Sequence, residues 1–292
     1  RATISSGGNL ISKSGRDTVI VGGDINVDGS AAIETGGDLK LIAVKDTKVT
    51  KSSKYSKSGG WFGRTQIDKK TQIDTKVNGS SLNIGGDAVV DAKGDIQLHS
   101  SQVNIDGNAN VHADGDILLT SDRGGRVTHE TRTKKGFMHS SGRTKDSIDL
   151  KSVGSGITSK GSMVVDAGGS MLLHGSDVKA DGNLAMTAEK GIGILESENI
   201  KDSKTSSYEE NGFWQSKRSE SQDSYLTHTG STVDSGGNLD LKSNEDIVIR
   251  GSIINTKGNA NIDAAKGLTI ESVVDQEFHS KFDEETNFAG ID

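Results

Sequence analysis

The amino-acid sequence predicts an all-β protein: a right-handed parallel β-helix (a solenoid) with coils of about 21 residues and projecting β-hairpin-like arms. Three observations lead to this prediction. They are a fourfold internal repeat, short triplets of alternating apolar and polar residues, and 38 glycines without one proline among 292 residues. Only 31% of the residues are hydrophobic, which is little for a compact domain of this length. A solenoid needs fewer, because each coil only has to cover its neighbours.

The repeat is defined by four anchor positions, mostly polar, that keep a spacing of 8, 13 and 8 residues in every unit. Successive units are offset by 78, 75 and 76 residues, with no gap between the anchors. These offsets predict a single repeat region over residues 1–292, with four units near 1–78, 79–153, 154–229 and 230–292. The anchors, unit by unit, are Asn9, Asp17, Ser30 and Asp38; Asp87, Asp95, Asn108 and Asp116; Ser162, Ser170, Asn183 and Gly191; Asn238, Asp246, Asn259 and Gly267.

Strand-like triplets follow the anchors, and one more fills each 13-residue gap, so that about three strands form one coil. Alternation places the first and third side chains of a triplet on one face, which is expected to line the interior. The glycines beside the anchors are expected to adopt positive φ at the corners, with Asp or Asn satisfying the turn backbone. An antiparallel sandwich would not show a period near 21, and strand-type alternation excludes a helical solenoid. In the first unit the triplets are 10–12, 18–20, 25–27, 31–33 and 39–41.

Each unit is predicted to end in an arm that leaves the β-helix as a hairpin or extended ribbon. The arms are rich in Ser, Thr and Lys and cover about residues 45–78, 122–151, 196–228 and 271 onward. Apolar side chains beside glycine or another small residue form the tips, and exposed apolar tips favour contact with a membrane or a partner. The alternative is that these side chains fold back and cover a coil edge. The candidate contact residues are Trp61, Phe62, Phe137, Met138, Phe213, Trp214 and Phe288.

The charge of the arms changes sign along the chain. Residues 45–70 and 122–146 carry net charges of +6 and +4, whereas residues 196–223 and 271–285 carry −3 and −5. One interpretation is solvated charge, with repulsion between stacked arms limiting aggregation. The other is that arms of opposite sign order one another, or that the basic arms meet anionic lipid headgroups.

The sequence predicts no catalytic, cofactor-binding or metal site, and hence no enzyme. There is no cysteine, and none of the seven histidines has a partner at the H-x-x-x-H spacing. His99 and His174 occupy the same repeat position, which the repeat itself explains. The net charge of −7 gives no support to nucleic-acid binding, and no stretch is apolar enough for a spanning helix. Because the chain starts at Arg1 without a signal peptide, we expect an internal piece of a longer protein.

Several stretches resemble the haemagglutinin repeats of filamentous-haemagglutinin-type exoproteins: Gly36–Leu41, Gly107–Val111, Gly236–Leu241 and Gly258–Ile262. The longer unit, with its polar arm and glycine-aromatic tip, is similar to the second repeat region of CdiA-type contact-dependent growth-inhibition exoproteins. The resemblance implies two-partner secretion through a dedicated outer-membrane transporter, and a filament on the surface of a Gram-negative bacterium. In the growth-inhibition branch it further implies a periplasmic stage before deployment, followed by association with the target outer membrane or a surface receptor during toxin delivery.

Three functions are therefore weighed. The first is a structural and delivery segment, with the coils as a spacer and the tips as contacts. The second is a plain filamentous adhesin that binds host or bacterial surfaces through the coil faces. The third is a polysaccharide-cleaving β-helix enzyme, which would need two or more carboxylates converging in one groove. No small-molecule substrate is expected for the first two.

Overall fold

The structure is a computed structural model that describes residues 1–60, 62–212 and 214–287. In this part of the chain, three parallel sheets of eight strands each (sheets A, B and C) stack into eight coils, one strand per sheet in every coil. The predicted parallel β-helix is therefore confirmed. A fourth, antiparallel sheet of seven long strands (the arm sheet) is formed by the arms. The described residues include no helix of the length and hydropathy that a membrane span requires.

The strands of sheet A are Thr3–Ser6 (β1), Asp24–Val27 (β4), Ser81–Ile84 (β9), Gln102–Ile105 (β12), Gly156–Ser159 (β17), Asp177–Ala180 (β20), Thr232–Ser235 (β25) and Ile253–Thr256 (β28). The strands of sheet B are Leu10–Ser14 (β2), Ala31–Thr35 (β5), Ala88–Ala92 (β10), Ala109–Ala113 (β13), Met163–Ala167 (β18), Leu184–Ala188 (β21), Leu239–Ser243 (β26) and Ala260–Ala264 (β29).

The strands of sheet C are Thr18–Val21 (β3), Leu39–Ile42 (β6), Ile96–His99 (β11), Ile117–Thr120 (β14), Met171–His174 (β19), Ile192–Leu195 (β22), Ile247–Arg250 (β27) and Leu268–Glu271 (β30). The strands of the arm sheet are Val44–Lys57 (β7), Thr65–Asn78 (β8), Asp122–Gly136 (β15), His139–Val153 (β16), Ser197–Asn211 (β23), Gln215–Thr229 (β24) and Gln276–Asn287 (β31).

The core is a single column of apolar side chains inside the coils. In β6, Leu39 and Leu41 are buried while Lys40 between them is half-exposed, and the same pattern repeats in the inner coils. Alternation therefore works as predicted, because successive side chains of a strand point to opposite faces. At the two ends of the column the core-facing side chains are more exposed, as Ile4 and Ile270 show.

The first and third anchors of every unit form a ladder of hydrogen bonds that links all eight coils. Asn9 Oδ1 accepts a hydrogen bond from the Ser30 amide at 2.9 Å, and Ser30 Oγ accepts one from the Asp87 amide at 3.2 Å. Asp87 Oδ1 in turn accepts one from the Asn108 amide at 2.7 Å. The same contact continues through Ser162, Asn183, Asn238 and Asn259. Each anchor thus satisfies a backbone donor of the next coil.

The prediction that the glycines beside the anchors adopt positive φ was wrong for most of them. Among the described glycines only six have positive φ, and three of these, Gly22, Gly175 and Gly251, lie at the corner between sheets C and A. The glycines before the anchors are needed for another reason. A Cβ on Gly107 would overlap Asp87 Oδ1 of the preceding coil. A Cβ on most other glycines that precede an anchor would likewise overlap the side-chain oxygen of an anchor in the coil before. Glycine is required there because two coils approach closely.

Candidate functional site

The arms form three complete hairpins and a fourth outgoing strand in the described residues, and they pair with one another into the continuous arm sheet. Arm 1 is β7 and β8, arm 2 is β15 and β16, arm 3 is β23 and β24, and β31 belongs to arm 4. Within arm 1 the register runs from Val44 opposite Asn78 to Lys57 opposite Thr65, and between arms 1 and 2 β8 pairs with β15 over eleven residues. Backbone hydrogen bonds therefore fix the arms relative to each other.

The ends of these hairpins bring the predicted tip residues of arms 1 and 2 together. Phe62 and Phe137 make an edge-to-face contact with ring centroids 5.3 Å apart and an angle of 79° between planes. Despite this contact, Phe62 is 74% and Phe137 is 65% exposed. These two aromatic side chains do not fold back to cover a coil edge.

Arm 3 continues the row. The Gly212 amide donates a hydrogen bond to Met138 O at 2.6 Å, so that the tip of arm 3 is joined to that of arm 2. Met138 and Trp214 are 52% and 64% exposed. We call Phe62, Phe137, Met138 and Trp214 the tip row. The remaining predicted contact residues, Trp61, Phe213 and Phe288, lie outside the described residues.

The turn of arm 2 adds an observation about backbone strain. Phe137 and Met138 connect Gly136 to its cross-strand partner His139, and Met138 has a φ of 56°. This left-handed conformation is costly for a side chain such as Met, by about 1 kcal/mol, and hairpin turns usually place Gly or Asn there. The turn of arm 2 therefore carries the apolar residues Phe137 and Met138, although Gly or Asn would suit the backbone conformation at position 138 better.

Charge is distributed unevenly across the arm sheet. The edge strand β7 carries five lysines and one aspartate, a net of +4, whereas the opposite edge β31 carries one lysine and four acidic residues, a net of −3. Arms 1 and 2 are both basic and nevertheless pair with each other. Attraction between opposite charges therefore does not order these two arms, and repulsion between like charges does not separate them. The sheet is ordered by its backbone ladder.

Local ion pairs compensate the like charge of arms 1 and 2. The Arg126 guanidinium holds the pKa of Asp74 below its ordinary value. Because these side chains are at the surface, each pair contributes little to stability. Four pairs link arms 1 and 2: Arg126 with Asp74 at 2.6 Å, Arg132 with Asp68 at 2.7 Å, Lys45 with Asp122 at 2.7 Å, and Lys70 with Glu130 at 2.8 Å.

The structure also brings together a cluster that the histidine spacing did not indicate. His112 lies between carboxylates of Asp114, on its own coil, and Asp166, on the next coil, each at 3.0 Å. The H-x-x-x-H spacing is a helical criterion, whereas on a strand the relevant spacing is two residues, as in His112-x-Asp114. His99 and His174, by contrast, end equivalent strands of sheet C, as expected.

A stack of similar coils with a continuous sheet of paired arms is the architecture of a filamentous, repeat-built protein. The hemagglutinin repeat matches four times, at residues 1–59, 63–142, 135–213 and 213–288. The chain therefore belongs to the hemagglutinin repeat family, whose members are structural and adhesin-like and are typically secreted and surface-exposed. Comparisons with curated proteins and with solved structures found no match.

The family repeat is framed by the arm tips. Its bounds fall at or near residues 59–63, 135–142 and 213. Each of the last three matches contains a return strand, two coils and the next outgoing strand, and the first contains two coils and an outgoing strand. The unit that recurs is therefore one that pairs with its neighbours in two places, in the β-helix and in the arm sheet.

Proposed function

We propose that this chain is a contact and delivery segment of a surface-exposed secreted exoprotein. The β-helix is the rigid spacer, and the tip row engages the outer membrane of a neighbouring bacterium while a toxin module of the exoprotein is delivered. The observation that carries the proposal is the tip row itself, in which apolar side chains stay more than half exposed at the ends of three paired hairpins. Exposed apolar groups in a row are typical of surfaces that meet a membrane or a partner.

The arrangement suits a lipid surface better than isolated side chains would. Because the hairpins pair, their tips are held in a line, and several apolar side chains can enter an interface at once. The two arms with the Phe62 and Phe137 tips are basic, which favours approach to anionic headgroups. Secretion through a two-partner transporter of the outer membrane belongs to this proposal and is supported by the family resemblance.

Vesicle flotation tests the tip row directly. The probe is a vesicle of phosphatidylethanolamine, phosphatidylglycerol and lipopolysaccharide. The wild-type chain is expected to float with the vesicles, and the triple variant Phe62→Ser, Phe137→Ser, Trp214→Ser is expected to stay at the bottom of the gradient. A matched control replaces exposed apolar residues of the coil faces, Val89→Ser with Val164→Ser, and should float like the wild type.

The outcomes separate the first function from the second. Flotation that survives the triple variant, or that is lost in the coil-face control, contradicts a role of the tip row. A plain adhesin that uses the coil faces has its own supporting observation, a hydrogen-bonded amide row on sheet A. In it, Asn104 Nδ2 donates to Asn83 Oδ1, and Asn83 Nδ2 donates to Asn26 Oδ1, each at 2.8 Å. Binding to cells that depends on these amides and not on the tips would favour the adhesin.

A further inference from the structure

A cluster of metal-ligating side chains lies on the outer face of sheet B, on the side of the coils opposite to the apolar core. Asp91, His112 and Asp166 occupy the same register position on three consecutive coils. Asp114 follows His112 by two residues and reaches the same face. One ligand atom each from Asp91, His112 and Asp114 can be chosen so that all three lie within 4.8 Å of one another. Binding of all three to one ion at ligand distances of about 2.0–2.2 Å would require these partly exposed side chains to rotate toward one another.

The His112 ring is oriented from both sides. Nδ1 lies 3.0 Å from Asp166 Oδ2, and Nε2 lies 3.0 Å from Asp114 Oδ1. If Nδ1–H donates to Asp166, the lone pair of Nε2 points into the cluster. A histidine that ligates a metal usually donates its other N–H to a carboxylate in this way, which fixes the tautomer and raises the basicity of the ligating nitrogen.

Asp91 supplies a second, independent observation. Its Oδ1 atom is inaccessible to water and has no hydrogen-bond partner, and it is the one such side-chain atom found in the described residues. The Asp91 side chain is 33% exposed as a whole, but this oxygen is buried, and a buried carboxylate oxygen is normally completed by a protein donor, an ordered water or an ion. A cation shared with His112 and Asp114 would satisfy it.

The nearest protein cation is a weak substitute. Lys93 Nζ lies 3.4 Å from Asp91 Oδ2 and 3.7 Å from Asp114 Oδ2, both long for an ion pair, and the lysine side chain is 56% exposed. Its ammonium group can therefore swing into solvent when a stronger cation arrives.

We propose that this cluster is a divalent metal site in which His112 Nε2 and one carboxylate oxygen each of Asp91 and Asp114 are the ligands. Asp166 is a positioning residue that orients His112, and water would complete the coordination. One imidazole nitrogen with two carboxylate oxygens suits a first-row ion such as Zn²⁺ or Mn²⁺. The ion would join two coils and, through His112 and Asp166, a third.

Calorimetric titration of the chelator-treated chain with Zn²⁺ tests the site. The wild type is expected to bind one equivalent of Zn²⁺ with a rise in the unfolding temperature. His112→Ala should abolish that equivalent, and Asp166→Asn should weaken it about 10- to 100-fold, as for other residues that orient a ligating histidine. Lys93→Met should strengthen binding, because a competing cation is removed. The chain has no cysteine, so thiolates give no background.

His279→Ala is the matched control, because His279 is also flanked by two carboxylates but lies on the arm sheet. It should leave the titration unchanged. The proposal is overturned if the wild type binds no stoichiometric Zn²⁺, if the equivalent survives His112→Ala, or if His279→Ala removes it. Asp91→Asn keeps the shape of the cluster and tests the same site should the alanine variant not fold, with loss of the equivalent expected and its survival counting against the site.

Discussion

The close approach of coils at the anchor glycines can be tested by adding one methyl group. In Gly107→Ala, the new Cβ would overlap Asp87 Oδ1 and would also crowd backbone atoms of Asp87 and Gly86. The clash therefore persists whichever rotamer Asp87 adopts. The two coils must move apart locally, and the hydrogen bond from the Asn108 amide to Asp87, now 2.7 Å long, lengthens or breaks.

The expected cost can be worked from these contacts. Loss of an exposed backbone-to-carboxylate hydrogen bond costs about 0.5–1.5 kcal/mol, and forcing packed backbones apart costs about 1–3 kcal/mol. Alanine restricts the unfolded chain and returns about 0.4–1 kcal/mol. Gly107→Ala should therefore lower the free energy of unfolding by about 0.5–4 kcal/mol.

Urea unfolding followed by circular dichroism measures this change, and hydrogen exchange localises it. Exchange should rise in β10 and β13, since each coil contacts only its neighbours. Gly191→Ala is the matched control, because its Cβ would meet nothing closer than Asp246 O at 3.4 Å, an ordinary contact. It should be neutral or stabilising by up to about 1 kcal/mol. Equal stability of the two variants would refute close approach as the reason for glycine.

Two further predictions concern pH. Hydrogen bonds to Asp223 and Glu277 raise the pKa of His279, so this contribution to holding β31 is complete below the ordinary histidine pKa and is lost as pH rises through the raised value. Amide exchange in β31, corrected for the intrinsic rate, should therefore be slower at pH 6 than at pH 8.5, and His279→Gln should remove the difference. Burial would raise the pKa of Glu196, but the hydrogen bond and charge of Arg250 outweigh it and lower that pKa. The contribution of Glu196 to stability is thus present above about pH 4.5 and lost as pH falls further. Salt screens the ion pair between Glu196 and Arg250, and Glu196→Gln lacks that pair. The acid-unfolding midpoint of the variant should therefore shift less with added salt than that of the wild type.

The coils could be predicted from sequence because their determinants are local. The triplet at Leu39–Leu41 alternates within three residues, and the anchors recur at fixed spacing, so neither needs knowledge of distant contacts. The same pattern did not reveal why glycine precedes an anchor. That reason lies in the preceding coil, where the side chain of Asp87 occupies the space of the missing Cβ of Gly107.

Long-range pairing is what the sequence did not disclose. The sequence predicts each arm as a hairpin or ribbon of its own, because nothing local in Ile73 or Val127 indicates that these residues pair with each other between two arms. The His112 cluster was hidden for the same reason. Asp166 follows His112 by 54 residues, a plain coil plus an intervening arm, and arms of different length vary this offset along the chain.

The length of the repeat has a geometric reason that joins the coils to the arms. Strands in a sheet are about 4.8 Å apart, and each coil of a parallel β-helix advances by the same distance. β7 follows the second coil and β8 precedes the third, while β15 follows the fourth and β16 precedes the fifth. One arm strand therefore stands beside every coil from the second onward, and the arm sheet grows at the pace of the β-helix. If each hairpin followed a single coil, two arm strands would have to occupy the roughly 4.8 Å step of one coil. If each hairpin followed three coils, one coil would have no arm strand beside it, and a gap would separate neighbouring hairpins. A unit of two coils and one hairpin is the arrangement in which all described arms pair and the tip residues fall into one row, so the contact surface follows from the period of the spacer.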